Sequence, residues 1–120
     1  MSEKKKIILT KDHYASDVPI FTGRPQGRIV RSKLDFERKD GDSEMYEVHI
    51  PKGTLGFNAS FYLGLFYPSY KALTPDGFHE KYKLIHLEED EVLCEILKEN
   101  IAECDVDAIN EYNGKSGLDF

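Results

Sequence analysis

Pro51-Lys52-Gly53-Thr54-Leu55-Gly56-Phe57-Asn58-Ala59-Ser60-Phe61-Tyr62-Leu63-Gly64-Leu65-Phe66 is the stretch from which the rest of the chain is read. Upstream of it, Tyr46, Val48 and Ile50 alternate with Glu47 and His49, the period of two that marks a strand with one polar face. That strand, Met45 to Ile50, feeds a loop containing two glycines and an asparagine, residues that reach positive φ at little cost. Beyond the loop the pattern turns apolar and helical from about Ser60 to Ala72, with Pro68 placed to kink or divide the helix. Strand, tight loop and helix start together bring backbone N–H groups and hydroxyls to one surface. Gly56, Phe57, Asn58, Ala59, Ser60, Phe61 and Tyr62 are therefore the candidate partner-binding residues. Ser60 reads as the helix N-cap, a role its hydroxyl suits. The aromatics that follow exceed what one buried face needs, which suits a core helix with surface left for a partner.

Outward from this centre, Ile7-Ile8-Leu9 reads as a short strand buried on both faces. Residues 11–21 lose periodicity and read as loop, and Arg28 to Leu34 as a first helix. Thr74-Pro75-Asp76-Gly77 signals a turn or helix start, and Tyr82 to Leu87 a third strand. Glu88-Glu89-Asp90-Glu91 places acids where a helix dipole favours them. Leu93, Ile96, Leu97, Asn100, Ile101 and Cys104 then form a helical stripe, with a short helix to follow over Asp105 to Ile109. Strands separated by helices imply an α/β fold: one small domain over 1–112, a mixed, partly parallel sheet with three to four helices, and a mobile tail over 113–120.

Composition narrows the function classes. The 120 residues hold 16 basic and 22 acidic side chains, a net charge of −6, so nucleic acid is not the expected partner. No apolar run approaches the roughly 20 residues of a membrane span, and the Lys-rich start is not a signal peptide. Cys94 and Cys104 share one helical stretch about 15 Å apart, too far to bridge. A cytoplasmic setting follows as the expectation, with the cysteines as packed thiols and no histidine partner in view. His49 has no companion ligands at a metal-like spacing, so neither metal nor cofactor is expected.

A second candidate site lies at Thr22-Gly23-Arg24-Pro25-Gln26-Gly27, two glycines four apart before a helix. It matches neither phosphate-loop pattern in full, and its plain reading is a loop and cap. With Arg24, Arg28 and Arg31 on one face, the set Thr22, Gly23, Arg24, Gly27, Arg28 and Arg31 could hold a phosphate. The plain alternative is a solvated face with one arginine in an internal salt bridge. Arg31, between Val30 and Leu34, is the one expected to serve structure first.

Gln26-Gly27-Arg28-Ile29-Val30-Arg31-Ser32-Lys33-Leu34 resembles the SGxxxRxxL segment that opens the first helix of the STAS-like family, small relatives of the sulphate-transporter and anti-sigma-factor-antagonist domain. Gly56-Phe57-Asn58-Ala59-Ser60-Phe61-Tyr62-Leu63-Gly64-Leu65-Phe66 resembles that family's G[YF]xSSFLxxxF segment. The resemblance covers roughly residues 5–104, of bacterial or phage type. It implies a sheet backed by helices that works as a protein-binding switch, not as an enzyme. The implied partner is a kinase-like ATPase or an anti-sigma-type regulator, engaged by a monomer or homodimer. In the antagonists a serine at this helix start is phosphorylated; here Ala59 takes that position, with Ser60 beside it. A nucleotide or phosphate binder acting through the Gly/Arg loop is the alternative.

Overall fold

The computed structural model describes residues 5–14 and 17–114. Strands and helices alternate as β1 (Lys5–Ile8), a 3-10 turn (Lys11–Tyr14), β2 (Ile20–Phe21), α1 (Arg24–Lys33), α2 (Phe36–Asp40), β3 (Tyr46–Ile50), β4 (Gly56–Phe57), α3 (Ala59–Lys81), β5 (Tyr82–His86) and α4 (Glu91–Tyr112). The fold class is α/β. In place of one mixed sheet there are two small parallel ones, a three-stranded sheet in the order β1-β3-β5 and a pair β2-β4. The split occurs at Gly53, whose φ of +87° turns the chain after β3 and moves β4 to a different partner.

β3 is central, and its alternation holds: Tyr46, Val48 and Ile50 are buried while Glu47 and His49 are half-buried. β1 departs from expectation. Ile7 and Leu9 are buried, but Ile8 is 49% exposed, because an edge strand backed on one side sends alternate side chains outward. α1 starts four residues earlier than read, at Arg24, with Pro25 in its first turn, where a missing N–H costs nothing. α4 is one helix, absorbing the short helix expected after Cys104, and Ile96 lies outside its buried stripe at 45% exposure. Asn113 and Gly114 turn at its end; the remainder of the expected tail lies outside the described residues.

α3 is the pillar of the molecule. Pro68 does not divide it; the break is at Thr74, the only non-helical residue inside it, with φ +68° and ψ 161°. Thr74 Oγ1 accepts from the Gly77 N–H at 3.2 Å and Pro75 follows, so Thr-Pro starts the last turns of α3, as the sequence indicated. Its aromatics are accounted for by the core. Phe61, Tyr62, Phe66 and Tyr70 are all buried, and rings meet at 4.2 Å (Tyr70–Phe78) to 6.4 Å (Phe57–Phe66).

α1 packs on α3 almost backbone to backbone. A Cβ at Gly27 would lie 2.4 Å from the Phe61 carbonyl oxygen, and one at Gly64 would lie 2.3 Å from that of Arg24. Below this contact Arg31 donates to Leu65 O and Ser69 Oγ, each at 2.8 Å, and to Asp40 Oδ2 at 2.5 Å. Asp40 also accepts from Ser69 and Tyr82, each at 2.7 Å, so three elements converge on one nearly buried carboxylate. Lys81 similarly ties the end of α3 to the Asp42 and Glu44 carbonyls and to Asp42 Oδ1 at 2.7 Å. Burial works against ionised Asp42, but the hydrogen bonds from Lys81, Tyr46 and the Glu44 N–H prevail and hold its pKa at about 2.

Candidate functional site

Pairing β2 with β4 in parallel brings the two sequence candidates side by side. Phe21 stands opposite Phe57, and each strand runs straight into a helix N-terminus, α1 after β2 and α3 after β4. Leu55 N–H donates to Pro19 O at 2.9 Å and Asn58 N–H to Phe21 O at 2.7 Å, extending the ladder on either side. Beneath the two turns the Phe21 and Phe57 rings stack at 4.9 Å. From behind, Asn100 of α4 closes the free edge of β4. Its Oδ1 accepts from the Phe57 N–H at 2.7 Å and its Nδ2 donates to Phe57 O at 2.9 Å. Side-chain amide geometry here does what a neighbouring strand would do. Gly56 is needed for this approach, since a Cβ there would come within 2.7 Å of the Asn100 side chain.

The cap of α3 is Asn58, not Ser60. Asn58 Oδ1 accepts from the Ser60 N–H at 2.9 Å, and Asn58 O from the Tyr62 N–H at 3.0 Å, which puts Ser60 at the second helical position. Asn and Ser are equally good caps two residues apart, and the one directly after β4 takes the role. Of the candidate partner-binding residues, Asn58 and Ser60 are exposed and Ala59 is half-buried. Gly56, Phe57, Phe61 and Tyr62 are buried, so they support the turn and offer no contact surface. Thr22 is exposed and Gly23 half-buried beside them, with Gly23 using φ +94° to turn β2 into α1.

The arginines do not converge on that turn. Arg31 points into the α1–α3 contact, as expected of a structural residue, and Arg24 pairs with Glu111 of α4 at 3.5 Å. Arg28 stays exposed one turn further along. Gly27 is inside α1 and serves helix packing instead of a loop. What remains at the surface is two adjacent helix starts with small polar side chains, an arrangement that favours an acceptor or acidic group from outside.

Three groupings were not legible before the fold was known. Asn100 is one, although an asparagine within an apolar helical stripe was its signal. The second is a chain from core to surface: Tyr62 OH meets Tyr70 OH at 2.8 Å, Tyr70 donates to Asp105, and His79 Nε2 lies 2.7 Å from Asp105 Oδ1. The third corrects the reading of Cys94 as lacking a histidine. His86 Nδ1 lies 3.7 Å from its sulfur, yet the thiol donates to Glu88 O at 3.2 Å, a packed arrangement and not an activated one. Cys104 is buried under Phe57, and burial, with Asp107 and Glu103 adding to it, pushes its pKa up to about 12. Of the acids before α4, Asp90 caps the helix, accepting from Leu93 N–H at 3.0 Å, whereas Glu88 and Glu89 hold the turn after β3, through Gly53 N–H at 2.7 Å and Lys52 at 2.9 Å.

Among the described residues no cluster of three or more His, Cys, Asp or Glu side chains is placed to hold a metal ion, and no helix is long and apolar enough to cross a membrane. Comparison with protein-family models, with curated proteins and with solved structures found no match to this chain.

Proposed function

We propose that the protein is a non-enzymatic, cytoplasmic regulatory module that docks a protein partner through its paired strand-to-helix turns, in the manner its STAS-like resemblance to the anti-sigma-factor antagonists implies. The contact surface is Thr22, Gly23, Asn58, Ala59 and Ser60. The observation that carries this reading is the double turn itself, held from below by stacked phenylalanines and from behind by Asn100. A platform set in advance loses little entropy on binding, which favours recognition by shape and a few hydrogen bonds. The partner is of the kinase-like ATPase or anti-sigma type, and a phosphate transferred here would fall on Ser60, since Ala59 has no hydroxyl.

The phosphate-ligand alternative has less support, because Arg24 and Arg31 are engaged inside the molecule. The test uses a photo-crosslinker at Ser60 and, as control, at Glu37, an exposed residue of α2. A partner captured from Ser60 and not from Glu37 should lose affinity at least about tenfold for Ser60→Asp. That variant should fold normally, because an acid in the first turn suits the helix dipole. Unchanged affinity in a variant with wild-type thermal stability removes Ser60 from the interface and the proposal with it.

A further inference from the structure

β5 is the last strand of its sheet, with β3 on one side only. Leu87 N–H donates to Ile50 O at 3.1 Å, and backbone groups alternate in direction along a strand, so residues 83 and 85 face β3. The N–H and C=O groups of Leu84 and His86 are therefore directed to the open edge. Across that edge stands α4, and between the two runs a cavity of about 550 Å3, with Lys83, Leu84 and Ile85 on one wall and Lys98, Ile101 and Ala102 on the other; its one carboxylate, Asp105, is held by His79 at 2.7 Å, which leaves the two lysines as its unmatched charges.

We propose that this slot takes an extended peptide segment of alternating apolar and acidic residues, which adds to β5 as a fourth strand. The inference is independent of the docking function assigned to the paired turns. Added strands lie about 4.8 Å from their neighbour, so the backbone of the peptide would run beside β5 with α4 at its back. Alternate side chains then reach the half-buried Leu84 and Ile101 or the exposed Lys83 and Lys98, with Lys98 one turn before Ile101 on the same face of α4. Lys83 Nζ donates to His79 O at 2.5 Å and Lys98 lies 3.9 Å from Glu95. Both contacts are at the surface, where such pairs hold a lysine weakly and leave it free to turn to a peptide carboxylate.

Charge argues against a second copy of this chain as the occupant. Pairing through the β1 edge of a second copy would bring its Lys5 and Lys6 towards Lys83 and Lys98. Like charges across neighbouring strands destabilise the pairing. α4 also leaves the slot open to one strand, where the edge of a second sheet would arrive with its own helices.

The probe is the peptide acetyl-(Glu-Val)3-amide, titrated into the full-length 15N-labelled protein. Saturable binding with slowed amide exchange at Leu84 and His86 is expected, weakened about tenfold by Lys98→Glu and lost in Ala102→Trp, which fills the slot from the exposed side of α4. The same peptide N-methylated on the strand-facing amides should not bind. Absence of protection at Leu84 and His86 overturns the proposal. So does equal binding of the N-methylated peptide, which would make the cavity a simple apolar pocket, or of the Lys-Val counterpart. Protection of the same amides without peptide, rising with protein concentration, would assign the edge to a second copy and overturn it as well.

Discussion

α1 against α3 and α4 against β5 are opposite solutions to the same task, closing a helix onto its neighbour. In the first, two glycines let backbones touch, and Arg31 with Asp40 satisfies the polar groups brought inside. In the second, a cavity remains and a strand edge stays open. The closed contact sets the position of the α3 N-terminus and hence of the turn proposed for docking. The open one leaves the backbone groups of Leu84 and His86 at an edge, where the first has Arg31, Asp40 and Ser69 bonded to one another. Rigidity and receptivity are thus separated onto two sides of one small molecule.

The largest effect should come from Arg31. Arg31→Ala leaves Asp40 as a nearly buried carboxylate without its cation, a loss of about 3–5 kcal/mol. Arg28→Ala, on the exposed side of the same helix, should stay within about 0.5 kcal/mol. Denaturant titrations of the two variants compare them directly, and equal losses would mean that the α1–α3 contact is not organised by Arg31.

Adding volume to each region sharpens the contrast. Gly64→Ala puts a Cβ against the Arg24 carbonyl and should cost about 1–3 kcal/mol, although alanine favours a helix by about 1 kcal/mol over glycine. Ala102→Trp adds far more volume to the open side and should leave the midpoint of thermal unfolding nearly unchanged. A destabilised Ala102→Trp would show that the slot is not free space.

The smallest effects separate the two cap candidates. Asn58→Ala should cost about 0.5–2 kcal/mol through loss of the hydrogen bond to the Ser60 N–H, and Ser60→Ala no more than a few tenths. The reverse order in thermal melts would return the cap to Ser60.

Much of the fold was legible because it rests on local periodicity. Tyr46, Val48 and Ile50 declare β3 by alternation, the Leu93-to-Cys104 stripe declares α4, and Thr74-Pro75 declares a helix start. Ile8 could not declare its exposure, since three adjacent apolar residues look alike in an edge strand and a covered one. Gly27 was misread for a physical reason: glycine serves both a loop needing positive φ and a helix needing close approach, and only the partner at Phe61 distinguishes them. The candidate site was half legible. Its position between β4 and α3 followed from the loop residues, but which side chains face outward depended on α1 and α4 covering Phe57, Phe61 and Tyr62. The pairing of β2 with β4, which sets two helix starts together, carries no signature in two-residue strands.

Asn100 has a consequence for the order in which the chain acquires its form during synthesis. The Phe57 N–H and C=O are satisfied by a side chain 43 residues further on. When β4, α1 and α3 have already left the ribosome, the outer edge of β4 is still bare and resembles any unpaired strand edge in its capacity to pair wrongly. The turn beginning at Asn58 is then on show without its backing, and a partner that recognises the finished platform has nothing rigid to grip. Only after α4 docks does the turn become the shape that the mature molecule presents. α4 thus decides when residues 51–66 gain their backing, and a nascent chain stopped before Glu91 would carry the residues proposed for docking without the platform beneath them.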